Sequence, residues 1–91
     1  MSNITDFVIK DGILKKYNGK GGDVVIPEGV KAIDMSAFSK QQTITSVTIP
    51  NEVISIGFSA FYNCTGIKKI SLPNSLTKIG VAAFSGCTAL T

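Results

Sequence analysis

The sequence contains no histidine, no arginine and no tryptophan, and each absence removes a class of function. Without histidine, a serine or cysteine nucleophile lacks its commonest general base. Cys64 and Cys87, the only cysteines, cannot complete a zinc site without it. Ser71 beside Lys69 is the nearest approach to a serine–lysine pair. Both lie on the outward face of one predicted strand, where a solvated lysine keeps its ordinary high pKa. The six carboxylates show neither a close pair nor a metal-ligand spacing. No catalytic residue, metal site or cofactor is predicted.

The missing arginines weigh against nucleic-acid binding, which favours clustered cations that can grip phosphate or guanine in a bidentate way. The net charge of +3 comes from dispersed lysines whose only doublets are Lys15-Lys16 and Lys68-Lys69. This pattern reads as a solvated surface. No apolar run reaches the 18 or so residues of a membrane span, so no membrane insertion is predicted. The opening Met-Ser-Asn-Ile-Thr-Asp has neither the basic nor the apolar region of a signal peptide. Asn3-Ile4-Thr5 and Asn63-Cys64-Thr65 match the glycosylation acceptor pattern. Gly19-Lys20-Gly21-Gly22 lacks the spacing and hydroxyl residue of a phosphate loop and reads as a flexible linker turn.

What the chain does have is a 44% apolar composition, ample for a folded core, arranged with a strict period. Pro27, Pro50 and Pro73 are 23 residues apart, as are Ala37-Phe38, Ala60-Phe61 and Ala83-Phe84. The same step relates Val24, Val47 and Ile70; Ile26, Ile49 and Leu72; Val30, Val53 and Leu76; Ile33, Ile56 and Ile79; and Ile44, Ile67 and Leu90. One such unit cannot bury its own apolar positions, so the copies must stack as coils over a shared core.

Within each copy, segments such as Ser46-Val47-Thr48-Ile49-Pro50 alternate and then stop at a residue that cannot donate to a ladder. A turn pair follows (Glu28-Gly29, Asn51-Glu52, Asn74-Ser75), then a second short extended piece broken at Asp34, Gly57 or Gly80. The Ala-Phe pair is expected on a brief helical or 3-10 turn. Residues 7–17 read instead as two strands about Asp11-Gly12. The predicted organisation is a capping hairpin and turn over 1–22, then about three repeats over 23–91, the last incomplete.

The columns Cys64-x-x-Ile67-x-x-Ile70-x-Leu72-Pro73 and Ile79-Gly80-x-x-Ala83-Phe84-x-x-Cys87 resemble the BspA-like branch of the leucine-rich repeats. The first copy departs from it, with Asp34 for glycine and Gln41 for cysteine. The resemblance implies a repeat solenoid, a right-handed coil of short strands. It also implies a bacterial cell-surface or secreted protein, with adhesion to host matrix or other cells as the family's association. A shared fold does not by itself fix a function.

Cys64 and Cys87 share a column, about 4.8 Å apart along the ladder. That geometry rarely suits a disulfide, so free buried thiols are expected. Two surfaces are candidates for binding a protein partner. One is the outer side of the strand ladder, including Thr48, Lys69 and Ser71, which is polar and lacks an aromatic or arginine anchor. The other is the column before each Ala-Phe pair, Met35, Phe58 and Val81, with Tyr62 nearby. These side chains either pack against the neighbouring coil's turn or form an exposed docking stripe. The chain ends at Thr88-Ala89-Leu90-Thr91 without a polar cap. Ile79, Phe84 and Leu90 are therefore expected to line an uncovered edge, and the isolated chain to form a homo-oligomer. The leading expectation is a protein-binding module. The alternative is a self-assembling structural element that associates through that edge or through the stripe.

Overall fold

Repetition every 23 residues lets each backbone segment lie on its own copy, and the strands pair accordingly. The computed structural model describes residues 4–90. A hairpin of β1 (Phe7–Lys10) and β2 (Ile13–Tyr17) is followed by β3 (Gly22–Val25), β4 (Ala32–Ile33), β5 (Ile44–Thr48), β6 (Ser55–Ile56), β7 (Lys69–Ser71) and β8 (Lys78–Ile79). Each repeat thus gives one longer and one two-residue strand. The longer ones form a parallel sheet β3-β5-β7, and the short ones extend the hairpin into a five-stranded sheet β1-β2-β4-β6-β8. The register is one repeat per step: Val24 opposes Val47, which opposes Ile70, and Ile33 opposes Ile56, which opposes Ile79.

The apolar columns face inward between the sheets. Val24, Val47, Val30, Val53, Ile33, Ile56, Ile44 and Ile67 are all buried. Burial of a column member depends on the coil above it, so Ile56 is 2% exposed and Ile79 in the last coil is 52% exposed. The largest core side chains form one aromatic stack running through the hairpin and all three repeats. Successive ring centroids of Phe7, Tyr17, Phe38, Phe61 and Phe84 are 5.3, 5.3, 4.8 and 5.4 Å apart. The Phe7–Tyr17 pair is tilted at 47° and the other three are stacked, and aromatic pairs at these separations add to the stabilisation from the area they bury.

The Ala-Phe segments are not helical, contrary to the sequence expectation. They form consecutive hydrogen-bonded turns, Ala37 N–H to Asp34 O, Ser39 N–H to Ser36 O and Gln41 N–H to Phe38 O, with the same set one repeat later. Two left-handed residues per repeat interrupt any 3-10 winding: Ser36 and Lys40 (φ 58° and 63°), Ser59 and Asn63 (55° and 56°), Ala82 and Gly86 (60° and 80°). The reason is lateral bonding. Phe38 N–H donates to Ala60 O, Lys40 N–H to Tyr62 O and Phe61 N–H to Ala83 O. A 3-10 helix would turn those amides inward along its own axis. Among the described residues the only 3-10 segment is Ile4–Asp6.

The hairpin closes on Asp11 and Gly12, both at positive φ (55° and 79°), the conformation two-residue hairpins favour. A register shift between Val8 and Ile9 leaves Lys15 without a partner across the pair. Strict alternation would put Leu14 and Tyr17 on opposite faces. The bulge brings both into the core, Leu14 against Ile33 of the first repeat and Tyr17 beneath Phe38. The Gly19–Gly22 segment is not a free linker but lies over Tyr17, whose hydroxyl accepts the Gly21 N–H at 2.9 Å.

The break positions have a different cause from the turn freedom expected of them. Neither Gly57 nor Gly80 has a positive φ. A Cβ on Gly57 would lie 2.7 Å from Met35 N and 2.9 Å from the Asp34 carbonyl carbon, and one on Gly80 2.5 Å from Phe58 N. Backbone passes over backbone there. Asp34 is tolerated because the hairpin, not a full coil, lies beneath it; its carboxylate accepts the Met35 N–H and pairs with Lys15 at 3.2 Å. Gly57→Ala is therefore expected to lower the unfolding free energy by about 1–3 kcal/mol. Asp34→Ala, which loses an exposed ion pair, should cost about 1 kcal/mol or less. Urea unfolding distinguishes them, and equal effects would contradict the close-approach account.

Candidate functional site

The outward residues divide into a stripe, a polar sheet face and the last coil. The stripe is the column Met35, Phe58 and Val81, whose side chains are 62%, 53% and 76% exposed. They do not pack into the neighbouring turn. Their backbones do stack: Ser36 N–H donates to Phe58 O and Ser59 N–H to Val81 O, at 3.0 and 3.1 Å. The stripe therefore has fixed spacing. Small residues precede it at Gly57 and Gly80 and follow it at Ser36, Ser59 and Ala82, so the apolar side chains stand clear of their surroundings. Tyr62 is half-buried and is not part of this exposed column. Ile54, 52% exposed on the same coil as Phe58, was not singled out from sequence. Its column reads Lys31, Ile54, Thr77, and that mixed composition was the available sign that it faces outward.

The outer face of β3-β5-β7 carries Asp23, Ser46 and Lys69 in one row and Val25, Thr48 and Ser71 in the next. Thr48, Lys69 and Ser71 are exposed. The structure adds a local network: Ser46 and Thr45 hydroxyls donate to one Asp23 oxygen at 2.8 and 3.2 Å. Those bonds, Ser46 first, hold the Asp23 carboxyl below the usual carboxylate range. Alternating small polar side chains of this sort orient a ligand better than they hold one.

In the last coil, Ile79 is half exposed and so is Leu72 at 49%. Phe84 and Leu90 are only partly buried against the core. Thr91 lies outside the described residues, as does Asn3 of the first glycosylation pattern. In the second pattern, Asn63 is committed to the stack, its backbone N–H bonded to Ser85 O and its side chain lying against Gly86.

The cysteine column serves the stack. The Cys64 thiol donates to Phe38 O at 3.0 Å and the Cys87 thiol to Phe61 O at 3.1 Å. In the first repeat Gln41 Nε2 makes the equivalent bond to Tyr17 O at 3.3 Å. The column thus requires a donor to the carbonyl of the aromatic residue one coil below, which explains why glutamine can replace cysteine. Both cysteines are free thiols. Burial pushes the Cys64 thiol up to about 11 from 9.0, and raises Cys87 as well.

Two parallel ladders, a continuous aromatic stack and one repeat of register per coil define a solenoid of the leucine-rich-repeat type. The chain belongs to the BspA family of these repeats: the family model described as "BspA type Leucine rich repeat region (6 copies)" matches residues 3–91, taking in the hairpin as well as the coils. The fold is similar to that of the T. pallidum leucine-rich repeat protein, with a TM-score of 0.92 and 33% identity over 98% of this chain and 47% of that one. It is also similar to a leucine-rich cell surface protein of Faecalibacterium prausnitzii, with a TM-score of 0.81 and 31% identity over all of this chain and 27% of that one. The chain therefore spans about half, or about a quarter, of the length of these proteins. No curated protein matches the sequence significantly.

The thiol environment makes a measurable prediction. Native Cys64 should react with iodoacetamide at pH 8 at least tenfold more slowly than in urea, since only the thiolate attacks. Between pH 9 and 11 the unfolded chain gives up a proton that folded Cys64 retains. Its contribution to stability is therefore full below pH 9 and lost as the pH rises towards 11. The urea midpoint should fall over that interval more steeply in the native sequence than in Cys64→Ala.

Proposed function

We propose that this chain is a protein-binding module of a bacterial cell-surface or secreted protein, and that it engages its partner through Met35, Phe58 and Val81. One observation carries this reading: in one column all three repeats place a large apolar side chain in solvent, more than half exposed. Spatially contiguous exposed apolar residues on a fixed scaffold are the usual mark of an interaction surface. The cell-surface description of the F. prausnitzii protein supports the location. Adhesion to a host matrix protein or to another cell's surface protein is the use this location suggests. Thr48, Lys69 and Ser71 then form a second, polar face suited to specificity. Catalysis is not proposed, because no histidine is present and the nearest serine–lysine pair lies on an open strand face.

A second reading, self-assembly through the last coil, is favoured by the half-exposed Leu72 and Ile79 with Phe84 and Leu90 beside them. The two readings place the contact on different surfaces, so different substitutions disrupt them.

Phe58→Asp tests the first. The variant should unfold within a few degrees of the native protein, since no core contact is lost. It should reduce saturable binding to immobilised matrix or cell-surface proteins at least tenfold, a loss of about 1.4 kcal/mol. Unchanged binding by the folded variant, with loss on Ile79→Lys instead, would transfer the function to the last coil.

A further inference from the structure

The column has a symmetry that a surface for an unrelated partner does not require. Phe58 lies midway between Met35 and Val81, one coil from each, so the three span about 10 Å at the spacing of stacked strands. A two-fold axis lying in the contact plane and crossing the stack through the middle coil would map Phe58 onto itself and Met35 onto Val81. Phe58, at 53% exposed, lies on that line.

Charge selects the same arrangement. Residues 1–52 hold six of the nine lysines and all six carboxylates, a net charge of zero; residues 53–91 hold Lys68, Lys69 and Lys78 and no carboxylate, a net charge of +3. Two copies facing each other with their coils in the same order would oppose the two +3 halves. With the order reversed, each +3 half meets a neutral, carboxylate-bearing half. Beside the stripe, Asp34 immediately precedes Met35 and Lys78 precedes Val81 by three residues, so the reversed order puts both on one flank of the contact. Asp34 keeps a solvent-facing side, being 40% exposed, and its partner Lys15 is 43% exposed.

We propose, resting on the reading of this column as a contact surface, that its occupant is a second copy of the same chain docked with reversed coil order. Met35 of each copy lies on Val81 of the other, Phe58 meets Phe58 at the axis, and Asp34 faces Lys78 on the flank. Such a contact is isologous and closes at two copies. Its few side chains place it among weak, transient associations.

The test pairs two charged variants, Met35→Lys and Val81→Glu, in sedimentation equilibrium on the full chain. The native protein should dimerise, and each variant alone should do so at least tenfold more weakly. Their equimolar mixture should regain dimerisation, because reversed order sets the lysine of one against the glutamate of the other. Asp34→Lys should weaken the native dimer, and combining it with Lys78→Asp should restore it. Rescue absent from the mixture, or a native chain monomeric up to millimolar concentration, overturns the proposal. A monomeric chain whose Phe58→Asp variant still loses binding to another protein would overturn self-recognition alone and leave the column's role as a contact surface standing.

Discussion

Everything in this structure depends on one constraint: each coil must hydrogen-bond to the next at the same register along nearly its whole perimeter. The bonds run through both strand ladders and also across the turns, where Phe38, Lys40, Phe61 and Asn63 donate to carbonyls exactly one ladder step away. Backbones so closely apposed leave no room for a Cβ where one crosses another, which accounts for Gly57 and Gly80. They also bring identical side chains into contact, which makes the phenylalanine column a continuous aromatic stack. Side-chain donors follow the same logic, with Cys64 and Cys87 bonded to the coil below and Gln41 to the hairpin.

A stack of this kind is stabilised between neighbours, and its ends are therefore different from its middle. The hairpin continues the stack ahead of the first coil. Its bulge turns Leu14 and Tyr17 to the same side, and Tyr17 supplies the ring on which Phe38 rests. Phe7 then covers Tyr17. The hairpin is thus a continuation of the core by other means, since it provides both the strand and the aromatic ring of a coil without its sequence pattern. Outside the core the register has a geometric consequence. Positions the stack does not need are free to vary, yet it holds them in straight columns, so Met35, Phe58 and Val81 form a stripe of fixed geometry.

Much of this was legible in the residues. The period was visible in prolines, Ala-Phe pairs and apolar columns, and those columns are the core. The outward position of Met35, Phe58 and Val81 was not decidable from apolar character alone, because buried columns are apolar too. The turns differ from the expectation because a short Ala-Phe segment has no local sign of its lateral bonds to the neighbouring coil, which accompany left-handed Ser36, Ser59 and Ala82. Asp34 and Gln41 looked like losses of pattern. They are substitutions permitted by what lies beneath them, a hairpin in place of a coil and a carbonyl that accepts from an amide as readily as from a thiol. Ile54 was overlooked because its column is mixed, although that mixture marks a position the core does not use.

Amide hydrogen exchange, resolved residue by residue, tests the central constraint most directly. If coil-to-coil bonding runs through the turns, the Phe38 and Phe61 amides should exchange within about tenfold of strand amides such as Val47. Exchange at Phe38 and Phe61 as fast as in an unstructured peptide, with Val47 still protected, would mean that the strands alone hold the coils together.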